Sequence, residues 1–73
     1  MTPELLRRAG EALYGPRWQS ELARDLDISD RSMRTWAKSG APESATAEII
    51  VLLEKRTADI AELVAEINGR ADA

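Results

Sequence analysis

The residues of this chain whose types and spacing suit a chemical task are gathered between positions 31 and 38. In the run Asp30-Arg31-Ser32-Met33-Arg34-Thr35-Trp36-Ala37-Lys38, a helix advancing about 100° per residue with Met33 inward carries Arg31, Arg34, Thr35 and Lys38 on the opposite side and Ser32 at its flank. Such a strip is rich in hydrogen-bond donors: the guanidinium forks match paired acceptors or phosphate oxygens, and the hydroxyls both donate and accept. On an isolated helix the same strip is ordinary solvated surface, so its meaning depends on the elements that carry it. Covalent and acid–base chemistry has far less to work with. The chain has no Cys and no His, which removes thiol nucleophiles, imidazole general bases and nearly all zinc sites. The carboxylate pairs Asp25/Asp27 and Asp59/Glu62 have ordinary explanations as exposed helix or turn residues. An enzyme is not expected, and no metal ligands, cofactor or small-molecule effector pocket are legible.

The positioning elements must come from a single small domain spanning residues 1–73. A chain of this size buries only about 60% of the surface its unfolded form exposes. Without a disulfide or a zinc site, the expected stabiliser is a second copy of the chain. The longest apolar run, Ile49-Ile50-Val51-Leu52-Leu53, is far short of the roughly 20 residues that span a bilayer. No basic segment followed by an apolar one opens the sequence. A soluble, cytoplasmic protein with no membrane partner is expected.

Gly, Pro and the phase of the apolar residues divide the chain into four or five helices, and strand-type alternation is not sustained anywhere, so the fold class is all-α. The first helix starts at the N-cap Thr2 with Pro3 in its first turn. Its inner face is expected to carry Leu5, Leu6, Ala9, Ala12 and Leu13, and Gly15-Pro16 ends it. A second helix runs from about Trp18 to Leu26 with Trp18, Leu22, Ala23 and Leu26 inward; Trp18 sits either in the core or against the first helix. After a turn at Asp27-Ile28, Ser29 caps a third helix from Asp30 to about Lys38 whose Met33, Trp36 and Ala37 share one arc. Ser39-Gly40-Ala41-Pro42 closes it. From Pro42 a long C-terminal helix is expected to reach the stop signal Asn68-Gly69, its continuity near Lys55-Arg56-Thr57 being left open.

Two helices of eight or nine residues joined by a turn of three or four have the dimensions of a helix-turn-helix. Ala23 is small where the helices cross, Leu22, Leu26 and Ile28 fill the space between them, and Met33 and Trp36 line the inner side of the second. Over Trp18 to Gly40, with Gln19 opening the motif, Ala23 fifth, Ile28 tenth, Met33 fifteenth and Trp36 eighteenth, the sequence resembles the compact Cro- and Xre-like helix-turn-helix repressors of phages and bacteria. Small size, the Gly-Pro-Arg-Trp entry and the single long following helix are also similar to short phage-borne anti-CRISPR-associated autoregulators. The departure is Asp27, where that family commonly has Gly because the turn needs a positive φ; Asp tolerates it better than most residues.

The resemblance implies a third helix lying in the major groove of double-stranded DNA. Arg31, Ser32, Arg34 and Thr35 would then contact bases, with Lys38, Arg17, Gln19, Ser20 and the N–H groups opening the second helix on phosphates. Asp30 caps its helix or accepts from a cytosine amino group. A net charge of -3 is unusual for such a protein, and it is unevenly placed. Residues 1–40 carry seven cations and six anions, whereas residues 41–73 carry three and seven. An acidic far side weakens non-specific attraction, so binding is expected to rely on a few contacts present in two copies.

The tail offers the means of pairing. Ile50, Leu53, Thr57, Ile60, Val64 and Ile67 repeat at spacings of 3, 4, 3, 4 and 3, and Ile49, Leu52 and Leu63 widen the stripe. Its first half is expected to pack on the helix-turn-helix core. The segment 57–69, through Ile60, Leu63, Val64 and Ile67, either joins two copies or folds back over the first helix. The expected function is therefore that of a homodimeric, sequence-specific, autoregulatory transcriptional repressor on an inverted repeat with half-sites about one helical turn apart. The alternative is a protein-interaction module, such as an antitoxin whose C-terminal helix holds another protein; the sequence does not separate a repressor from an activator.

Overall fold

The computed structural model describes residues 1–71, which form four helices and, among those residues, no strand. They are α1 (Pro3–Tyr14), α2 (Trp18–Leu26), α3 (Asp30–Ser39) and α4 (Glu43–Ala71). α1 begins where its side chains dictate: Thr2 Oγ1 accepts from Leu5 N at 3.2 Å, and Pro3 occupies the first turn without wasting a donor. Its buried residues are Leu6, Gly10 and Leu13, one stripe at i, i+4 and i+7. The expected inner face is thus rotated. Leu5 is 49% exposed and Ala12 exposed, because the stripe centres on Gly10, where the Trp18 indole takes the place of a side chain.

α1 packs against each of the other three helices. Trp18, Leu22 and Ala23 of α2 are buried with Leu6, Leu13, Met33 and Ile49 in one apolar cluster, and Leu26 and Ile28 pack at its edge. α2 ends as a Schellman motif. Asp27 adopts the left-handed conformation (φ 57°, ψ 47°), its N–H donates to Arg24 O, and Ile28 N–H reaches Ala23 O at 3.0 Å. The positive φ expected at Asp27 is present. Ser29 then caps α3, accepting from Ser32 N at 3.0 Å. Met33 is fully buried, while Trp36 and Ala37 are half-buried on the same side.

The passage from α3 to α4 is tied to the start of the chain. Ala41 N donates to Met1 O and the Met1 ammonium donates to Ala41 O, both at 3.0 Å. Gly40 lies at φ 103°, and a β-carbon there would sit 2.5 Å from Met1 O, so backbone shape and space both call for glycine.

α4 is continuous through Lys55-Arg56-Thr57 and does not stop at Asn68-Gly69. A helix ends at glycine when the residue turns left-handed, and Gly69 keeps a negative φ. Glycine inside a helix costs only about 1 kcal/mol relative to alanine, and the Arg70–Glu66 pair, 3.1 Å apart, bridges that turn. The first half of α4 packs chiefly on α1 through buried Ala45 and Ile49, with Leu52 and Leu53 half-buried. Beyond Arg56 every residue with a described side chain is exposed. The free half of α4 stretches the molecule to 50 × 21 × 21 Å. No helix among the described residues is long and apolar enough to cross a membrane.

Candidate nucleic-acid interface

α3 is amphipathic because its one buried residue, Met33, fixes its rotation, and the cations then fall on the far side. Arg31, Arg34, Thr35 and Lys38 line one shallow, open depression on that face. Each of the four is exposed. Among the described residues, none of the three cations has a carboxylate within 4.0 Å; the ion pairs are Arg7–Glu11, Arg24–Glu21 and Arg70–Glu66. Among the described residues their side-chain donors have no protein partner, and all three side chains are exposed.

The hydroxyls of α3 are more constrained. Thr35 Oγ1 donates to Arg31 O at 3.2 Å, which leaves the oxygen its acceptor lone pairs. Ser32, half-buried at the flank, accepts from Ser29 Oγ at 3.0 Å and so keeps its own hydroxyl hydrogen for an outside acceptor. Asp30 lies in the first turn, where a carboxylate favours the helix dipole.

Arg17, Gln19 and Ser20 lie together at the start of α2, lining a second shallow depression with Pro16, Trp18 and Glu21. Arg17 is the N-cap residue, and no side chain caps the opening N–H groups of α2. These donors point outward from a helix terminus of partial positive charge, a suitable seat for an anion. The buried Trp18 anchors this end of α2 to α1.

Spacing in the sequence did not reveal the polar junction that joins α1, α2 and α4. Arg56 Nη1 donates to Leu13 O at 2.8 Å, giving an acceptor-rich helix end a charged partner. Beside it the Tyr14 hydroxyl donates to Asp25 Oδ2. Burial, reinforced by the hydrogen bond and negative charge of Asp25, pushes the Tyr14 phenol up from 10.0 to about 12. The sequence does place these side chains near helix ends, but nothing in it pairs residues 43 positions apart.

Ile60, Leu63, Val64 and Ile67 lie far from the α3 face, on the free half of α4, exposed by 50–58%. They do not fold back over α1, so that of the two expected arrangements the intramolecular one is not adopted. Among the described residues no cluster of His, Cys, Asp and Glu is arranged to hold a metal ion. No protein-family model, no curated protein and no solved structure matches the chain.

Proposed function

We propose that the protein is a sequence-specific DNA-binding transcriptional repressor, not an enzyme, acting in the cytoplasm as a homodimer on an inverted-repeat operator. In this reading α2 and α3 form a helix-turn-helix, and α3 enters the major groove. The observation that carries it is the α3 face, where Arg31, Arg34, Thr35 and Lys38 are exposed together and, among the described residues, no carboxylate pairs with the three cations. A B-DNA major groove admits one α-helix, and arginine pairs bidentately with guanine O6 and N7. Thr35 offers a methyl group and an acceptor, Ser32 a donor hydrogen. Lys38, Arg17, Gln19, Ser20 and the uncapped N–H groups of α2 hold phosphates and fix register.

The left-handed Asp27 and the bond from Ile28 to Ala23 set the angle between α2 and α3, which supports the same reading by making the pair rigid. Autoregulation of its own promoter by occlusion is the simplest use of such a protein. The test is selection of purified protein against random duplex DNA, followed by anisotropy titration at two salt concentrations. An enriched inverted repeat, bound with an affinity that falls steeply with salt, is expected. Folded protein that enriches no sequence would remove this function.

A further inference from the structure

We propose that each operator half-site contains two neighbouring G·C base pairs, whose guanines are held by Arg31 and Arg34, and that A·T pairs are rejected at both places. This rests on the DNA-binding reading above and names the class of base sequence that the same face of α3 selects. It follows from the hydrogen-bonding groups that α3 exposes. In the major groove guanine presents two acceptors, N7 and O6; adenine presents an acceptor beside a donor, cytosine a donor, and thymine an acceptor beside its methyl group. Holding adenine by two bonds therefore takes a side-chain amide, with one donor and one acceptor at its tip. α3 has none. The single Gln of the chain, Gln19, stands at the start of α2, and the single Asn, Asn68, near the end of α4. Arg31 and Arg34 are donors only, both are exposed, and among the described residues neither has a carboxylate within 4.0 Å. Guanine is the one base that offers a guanidinium two acceptors.

One guanine holds one guanidinium in this way, so two arginines call for two guanines. Arg31 and Arg34 are three residues apart, a rise of about 4.5 Å along the helix, against about 3.4 Å between stacked bases on one strand, which places the two on neighbouring base pairs. The other groups on the face do not favour A·T. Thr35 has committed its hydrogen to Arg31 O, and as an acceptor it takes the amino group of cytosine or of adenine alike. Asp30, in the first turn of α3 and exposed, is an acceptor only; it matches the amino group of the cytosine paired with guanine, whereas beside the adenine amino group it meets a second acceptor, N7. Lys38 is a donor only, a point charge in the last turn that suits phosphate.

The experiment alters the DNA atom by atom and leaves the full chain as it is. The operator recovered by selection from random duplexes is resynthesised with single guanines replaced, and each duplex is titrated by anisotropy. Exchange of either G·C pair for A·T is expected to weaken binding about 5- to 150-fold, the equivalent of about 1–3 kcal/mol for one bidentate pair. 7-Deazaguanine, which keeps O6 and lacks the N7 acceptor, should weaken it several-fold at the same two positions. Hypoxanthine, which keeps both acceptors and lacks only the minor-groove amino group, should leave it unchanged. Arg31→Ala protein should be indifferent to 7-deazaguanine at one of the two positions and Arg34→Ala protein at the other; both side chains are exposed, so the fold survives either change. Indifference of the unaltered protein to 7-deazaguanine at every guanine, or a recovered operator without such pairs, would overturn guanine readout while leaving sequence-specific DNA binding in place. Losses with hypoxanthine equal to those with 7-deazaguanine would place the contact in the minor groove and overturn it as well. Recovery of no sequence from folded protein would remove the DNA-binding reading and this one with it.

Discussion

The indole of Trp18 lies against Gly10, filling the volume that a β-carbon at position 10 would take. This contact joins α1 to α2 at full van der Waals closeness. Gly10→Ala should destabilise the fold by about 1–3 kcal/mol, as overpacking does in a filled core, even though alanine is the better helix former. Gly69→Ala, where nothing lies within 4 Å, should not destabilise it. Urea unfolding followed by tryptophan fluorescence measures both; equal stability of the two variants would mean that the α1–α2 contact yields freely.

Asp27 has a left-handed backbone, the only non-glycine residue among those described with a positive φ. That conformation costs an L-residue roughly 1–2 kcal/mol, less for Asp than for most. Glycine carries no such cost but loses more chain entropy on folding. Asp27→Gly should therefore raise stability by a few tenths to about 1 kcal/mol, and Asp27→Val should lower it by more, in the same unfolding measurement.

Tyr14, the single tyrosine of the chain, should ionise near pH 12 instead of 10. Because its proton is held more tightly in the folded state, its contribution to stability is complete below pH 10 and declines as pH rises from 10 toward 12. Tyrosinate absorbance gives the titration directly. Asp25→Asn removes the negative charge beside the phenol and should bring the midpoint back toward 10; an unchanged midpoint would leave burial as the whole cause.

Arg31 and Lys38 share a face of α3 but have different expected roles, and DNA titration separates them. Arg31→Ala should cost about 1–3 kcal/mol in specific binding and relax preference at one base position. Lys38→Ala should weaken binding to all sequences alike and reduce the salt dependence by about one counterion. Equal loss on specific and random duplexes for Arg31→Ala would assign it to phosphate as well.

Elements with local signals were legible in the sequence, and contacts between distant elements were not. Thr2-Pro3, Ser29 and Gly40 mark ends of α1 and α3 because capping is decided within a few residues, and the periodicity of Met33 with Arg31, Arg34, Thr35 and Lys38 fixes the outward face of α3 for the same reason. The inner face of α1 differs by one position from what hydrophobicity predicts, since hydrophobicity favours Leu5 and Ala12 whereas packing uses the small Gly10 beneath an indole. Asn68-Gly69 resembles a stop, yet a helix ends only when its backbone turns, and Gly69 stays helical. The bonds from Arg56 to Leu13 and from Tyr14 to Asp25 needed the packed helices before they existed at all.

α4 is a single unbroken helix whose two halves have different surroundings. In the isolated chain its amides near Ile49 can exchange with solvent only when the core opens, whereas those from Ile60 onward need no more than fraying from the free end. One helix thus carries a gradient of hydrogen-exchange protection with its step near Arg56. A partner that covers the second half would suppress that fraying, so the protection from Ile60 onward would report directly on its binding.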